Sequence, residues 1–113
     1  MKMIHRVASV LIILLGLVHI GFTFHDYDGL SMEAAWFFGT GVAIVLAGFM
    51  NIAMLRDGGR DTIIWSMSLI TNLVFLLGFA AASFMLPQPQ VFVGLLLFTI
   101  TTIYSFVINP KTS

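Results

Sequence analysis

The sequence predicts an all-α fold: an integral membrane four-helix transmembrane bundle, up-down-up-down, with both termini cytoplasmic. Three observations predict it. Of 113 residues, 59% are apolar and 9% charged, whereas roughly a quarter of the residues of a soluble domain are charged. Four continuously apolar runs each approach or exceed the roughly 20 residues that a helix needs to cross the hydrocarbon. All five basic residues fall on one side of that pattern, Lys2 and Arg6 before the first run, Arg56 and Arg60 between the second and third, and Lys111 after the fourth. Loops rich in Lys and Arg stay on the cytoplasmic side, so the charges thread an even number of crossings. The opposite side carries Asp26, Asp28 and Glu33 and no basic residue, so near-zero net charge hides a strong asymmetry.

The chain is read as a single four-span domain over residues 1–113, with spans at about 7–24, 34–55, 63–86 and 91–108. Lys2 and Arg6 followed by an apolar run resemble a signal-peptide start, but no small-x-small cleavage site follows, and the first run is read as an uncleaved span. Asp28-Gly29 marks a turn, Ser31 the N-cap of the second helix, and Glu33 a favourable negative charge in its first turn. The polar turn over residues 56–61 precedes a third helix capped by Asp61 or Thr62. Pro87 and Pro89 bracket the third connection, and Asn109-Pro110 ends the fourth helix. Short connections make consecutive helices neighbours. The amphipathic aromatics agree with this threading: Tyr27 and Trp36 fall at the outer boundary, Trp65 and Tyr104 near the inner one.

Composition also excludes functions. With no cysteine, disulfide scaffolds, iron-sulfur clusters and thiolate metal sites are ruled out. Five scattered basic residues make no stripe for phosphates, so no nucleic-acid partner is expected. His5 and His19 are both on the first helix, about 21 Å apart, and cannot ligate one haem iron between them. His25, Asp26, Asp28 and Glu33 are metal-capable but form an exposed acidic loop. Met50, Met54 and Met67 are read as gap fillers. No metal and no cofactor is expected, and no phosphate loop, H-E-x-x-H or Ser-His-Asp set is present.

Two groups of residues carry what remains. Ala35, Gly39, Ala43 and Ala47, followed by Asn51 at the same spacing of four, share one face of the second helix and suit helix packing in lipid. Gly41 and Gly48 form a second small face, able to meet another helix or another copy of the chain. Asn72, near mid-membrane, needs an interhelical partner such as Asn51, Thr71 or the fourth helix. Thr99, Thr101, Thr102 and Ser105 can return their hydroxyls to their own helix. The second group is titratable. His19 lies well inside the first span, and an intramembrane ionisable residue is by default a candidate functional group. His19 is the candidate acid or base and Glu33 the candidate carboxylate that holds its imidazole tautomer, and Trp36, Thr23 and His25 are candidate substrate contacts in an outer-leaflet pocket.

In length and span number the chain is similar to the small multidrug resistance transporters, whose coupling depends on a carboxylate in the first span; this first span holds neither Asp nor Glu. Its layout also resembles the DoxX-like four-helix membrane proteins, with Gly16 in the first span and Trp36, Gly39 and Gly41 opening the second. That resemblance covers architecture and carries over no functional residue. The leading expectation is a small polytopic membrane protein acting through intramembrane interaction, as an accessory or scaffold subunit in the cytoplasmic (inner) membrane. Its expected partners are the lipid bilayer and a second copy or another membrane protein. A membrane enzyme or lipid- or quinone-binding protein using His19 and Glu33, and a dimeric small transporter or channel, are the alternatives.

Overall fold

A computed structural model describes residues 2–26, 28–29, 31–58 and 60–108, with the side chains of Lys2 and Asp26 left out. Tyr27, Gly59, Asn109, Pro110 and Lys111, and the Asp26 side chain, therefore lie outside the described residues. Among the described residues the elements are four helices, each long and apolar enough to span a membrane: α1 (Lys2–Asp26), α2 (Met32–Asp57), α3 (Thr62–Met85) and α4 (Pro89–Val107). Together they mark an integral membrane protein. α1 and α2 overrun the spans read from hydropathy because a helix continues through polar residues at the membrane edge while its backbone bonds are still made.

Local chemistry sets the ends. Ser31 accepts from the Ala34 amide at 3.1 Å and starts α2. Asp61, rather than Thr62, caps α3, its carboxylate accepting from the Ile63 amide at 2.9 Å and the Ile64 amide at 3.4 Å. Gly58 closes α2 at φ 71°, in the left-handed region, and its amide bonds Met54 O at 3.0 Å; a side chain there would be strained. Pro89 sits in the first turn of α4, where an amide would have no helical partner.

The helices pack in a ring, α1 on α2, α2 on α3, α3 on α4, and α4 back on α1. α1 and α2 approach so closely that only glycine fits at the crossing. A Cβ on Gly16 would stand 2.8 Å from Gly41 O, one on Gly41 3.0 Å from the Ile20 amide nitrogen, and one on Gly48 3.1 Å from Ser9 O. At Gly94 on α4 the ring of Phe79 occupies the space a side chain would need. A dry centre of Ala8, Ile12, Ile44, Ala47, Leu97 and Phe98 fills the middle, with Phe98 stacked between Phe75 and Phe79 at centroid distances of 4.9 and 5.6 Å.

The exterior is apolar and, beside that dry centre, much of the interior is polar, a partial inversion of a soluble protein. Leu77 is 70% exposed and Phe84 90%, while Ser9, Asn51, Ser68, Asn72, Thr101 and Ser105 are completely buried. The inversion is sharpest in α3, whose fully buried residues are both polar, Ser68 and Asn72. Lipid accepts apolar side chains on the outside, and polar side chains must find partners within the bundle.

Candidate functional site

Polar side chains gather in two places, at opposite ends of α1. One inward face of that helix carries His5, Ser9, Ile12, Gly16, His19 and Thr23 at alternating spacings of four and three, the repeat of a helix face. Two of the three histidines of α1, His5 and His19, therefore point at neighbouring helices.

At the His19 end, the imidazole stacks on Phe37 of α2, with ring centroids 3.8 Å apart and planes 15° from parallel. Its Nε2 is buried with no hydrogen-bond partner among the described residues. Thr23 is buried and donates a long bond of 3.4 Å to His19 O. Glu33 is exposed. It lines an open cleft of about 380 Å³ with Met32, Trp36, Phe37 and Thr40. Trp36 is 71% exposed, and Thr40 donates to Trp36 O at 2.8 Å. Phe37 is thus common to both groups: it backs the His19 ring and walls the Glu33 cleft. His25 is exposed and meets Phe22 edge-on at 6.2 Å. The cleft is apolar and aromatic-walled with one carboxylate, and of the expected pocket residues it gathers Glu33 and Trp36; His19, Thr23 and His25 do not line it, and the buried His19 Nε2 lies with its ring stacked on Phe37.

At the His5 end, all four helices contribute to one hydrogen-bonded cluster. Asn51 and Asn72 exchange amide bonds, each Nδ2 donating to the other's Oδ1 at 2.8 Å. Asn51 also donates to Ala47 O at 3.0 Å. Asn72 donates to Ser105 Oγ at 3.0 Å and accepts from Thr101 Oγ1 at 3.0 Å, while Ser105 donates to Thr101 O at 2.8 Å. Thr71 instead returns its hydroxyl to Met67 O at 2.7 Å. Ser68 donates to Met50 O at 3.2 Å, and the Trp65 indole N–H to Ser105 O at 2.7 Å. His5 is completely buried, stacks on Tyr104 at 4.2 Å, and lies 3.2 Å from Asn51 O through Nε2. A carbonyl can only accept, so Nε2 is the donor there, and Nδ1 is left as the other polar atom of the ring. That Nδ1, with Thr102 Oγ1, has no partner among the described residues.

The residues marked for helix packing are distributed unevenly. Ala47, Asn51 and Asn72 are buried, Ala43 is half-buried, and Gly39 is exposed with open space where its Cβ would be. The close approach of α1 to α2 runs instead along Gly41 and Gly48. Hydropathy misses His5 because Lys2 and Arg6 beside it resemble a solvated helix start. The spacing of His5, Ser9, Ile12 and Gly16 is the signal that points it inward. Among the described residues no three of His, Cys, Asp and Glu are grouped as a metal would require.

No protein-family model matches the chain, and neither a curated protein nor a solved structure matches it.

Proposed function

We propose that the chain is a small polytopic membrane protein that acts mainly through intramembrane interaction, as an accessory or scaffold subunit meeting a second copy or another membrane protein. One observation carries this reading. The glycines divide into those the bundle needs and those it does not. Gly16, Gly41, Gly48 and Gly94 are in contacts that a side chain would break, whereas Gly21, Gly39 and Gly78 have nothing within 4 Å of a built Cβ. A glycine inside a helix costs about 1 kcal/mol relative to alanine. Where the chain's own packing does not use it, close approach of an external helix would. Gly78 lies on the least buried helix, among the exposed Val74, Leu77 and Met85. Gly39 lies beside the exposed Trp36 and Phe38.

In this reading the bundle runs up-down-up-down in the cytoplasmic membrane with both termini inside. The confinement of Lys and Arg to one side supports that orientation. The pairings of His5 with Asn51, Ser68 with Met50 and Trp65 with Ser105 support the order of passes.

Mass measurement after gentle extraction from the native membrane tests the proposal. The expected particle exceeds the 12.4 kDa of one chain, and Gly39→Leu and Gly78→Leu each reduce it to one chain while helical content is kept. A single-chain mass for the native protein contradicts the proposal.

The His19 end favours a second reading, a membrane enzyme or a protein binding a lipid or quinone. The unbonded His19 Nε2 and the wall that Phe37 shares with the Glu33 cleft support it. An aromatic lipophile co-purifying with the native protein and lost from His19→Ala would place this reading first.

A further inference from the structure

At the His5 end, α1 and α2 leave a cleft of about 440 Å³ on the outside of the bundle, lined by Arg6, Val10, Ile52, Leu55 and Arg56. Its composition is unusual for this chain. Two of the five basic residues stand at one cleft, one from the start of α1 and one from the last turn of α2, and the other three lining residues are aliphatic. Both arginines are exposed, and neither makes an ion pair or hydrogen bond among the described residues. The nearby carboxylates are engaged elsewhere: Asp57 accepts from the Asp61 amide at 2.8 Å, and Asp61 caps α3.

The geometry points to a binding site for one anionic phospholipid, its headgroup phosphate held by Arg6 and Arg56 and its acyl chains laid over Val10, Ile52 and Leu55. Guanidinium groups are planar forks matched to phosphate oxygens, and two of them from different helices clamp one phosphate more firmly than one alone. Basic pockets between helices at a membrane face suit anionic headgroups. The aliphatic floor selects a lipid over free phosphate. Val10 is exposed and is followed along α1 by the exposed Leu11 and Leu14, so the cleft opens directly onto the surface that meets acyl chains. A lipid seated there bridges α1 and α2 at the end where Gly48 and Ser9 bring them together. This site is independent of the open glycine faces and of the Glu33 cleft.

Native mass spectrometry of the delipidated full-length protein, titrated with dioleoyl phosphatidylglycerol or dioleoyl phosphatidylcholine, tests the site. One phosphatidylglycerol is expected to be retained at saturation, at least tenfold more tightly than phosphatidylcholine. Arg6→Gln/Arg56→Gln should bring the two lipids to parity, and Arg60→Gln should leave the preference intact. Val10→Trp keeps both charges but fills the floor, and should weaken retention of phosphatidylglycerol; it serves as the readout if the double variant fails to fold. Excess inorganic phosphate should not displace the lipid. Unchanged retention in the arginine variant, an equal loss in Arg60→Gln, or displacement by phosphate overturns the site.

Discussion

An amide in the middle of an apolar helix is tolerated in lipid only when its donors and acceptor are occupied, and Asn51 and Asn72 occupy each other's. Interhelical hydrogen bonds in bilayers contribute about 0.6 kcal/mol on average and up to about 2 kcal/mol. Asn51→Leu and Asn72→Leu should each destabilise the bundle by about 1–2 kcal/mol, because each leaves the other amide with a lost partner. The double variant should cost less than the sum, since it removes both the bonds and the orphaned groups. Equilibrium unfolding in mixed micelles measures all three; strict additivity would show that the two amides do not act as a pair. In the sequence Asn51 was legible only as one of three candidate partners for Asn72, beside Thr71 and the fourth helix. The roles of Ser105 and Thr101 were not. A hydroxyl in a helix is satisfied by its own preceding turn, as Thr99 is by Leu95 O at 2.7 Å, and only the neighbouring helix decides whether it also bonds across, as Thr101 does to Asn72.

At the scale of the helix, small residues are readable as packing positions, but not which face meets which neighbour. On α2 two small faces, Gly39-Ala43-Ala47 and Gly41-Gly48, fit the same rule from sequence. The partner's contour separates them, because Gly41 faces Gly16 and Ile20 and Gly48 faces Ile13 and Ser9 of α1. The distinction has a measurable consequence. Gly48→Leu must displace Ile13 and the α1 backbone near Ser9, and should cost about 1–3 kcal/mol of stability. Gly21→Leu meets open space and should be neutral or stabilise by up to about 1 kcal/mol, since it removes a helix-interior glycine. Thermal unfolding in one detergent compares the two directly, and equal losses would mean that α1 and α2 do not cross at Gly48. Helix ends were the most legible feature, because Ser31 and Asp61 act through bonds to amides two or three residues away and need no distant partner.

Across the whole molecule, charge and polarity divide the surface into three zones: an arginine-flanked cleft at the His5 end, an aromatic cleft carrying Glu33 at the other, and an apolar belt between them. The belt was legible from composition, since 59% apolar residues exceed what one small core can bury. Unpartnered positions within the belt were not, because a lipid-facing glycine and a helix-facing glycine look alike in sequence until the bundle's own contacts are known. Gly39 and Gly78 therefore carry the central claim, that the chain works by meeting another helix in the membrane. The chain has no cysteine, so single cysteines placed beside these glycines, at the exposed Phe38 and Leu77, can each carry a benzophenone photo-crosslinker in native membranes without filling the glycine positions. The account predicts a discrete protein adduct from Phe38→Cys and Leu77→Cys and none from Leu14→Cys on the exposed side of α1. Lipid adducts alone at all three positions would contradict it.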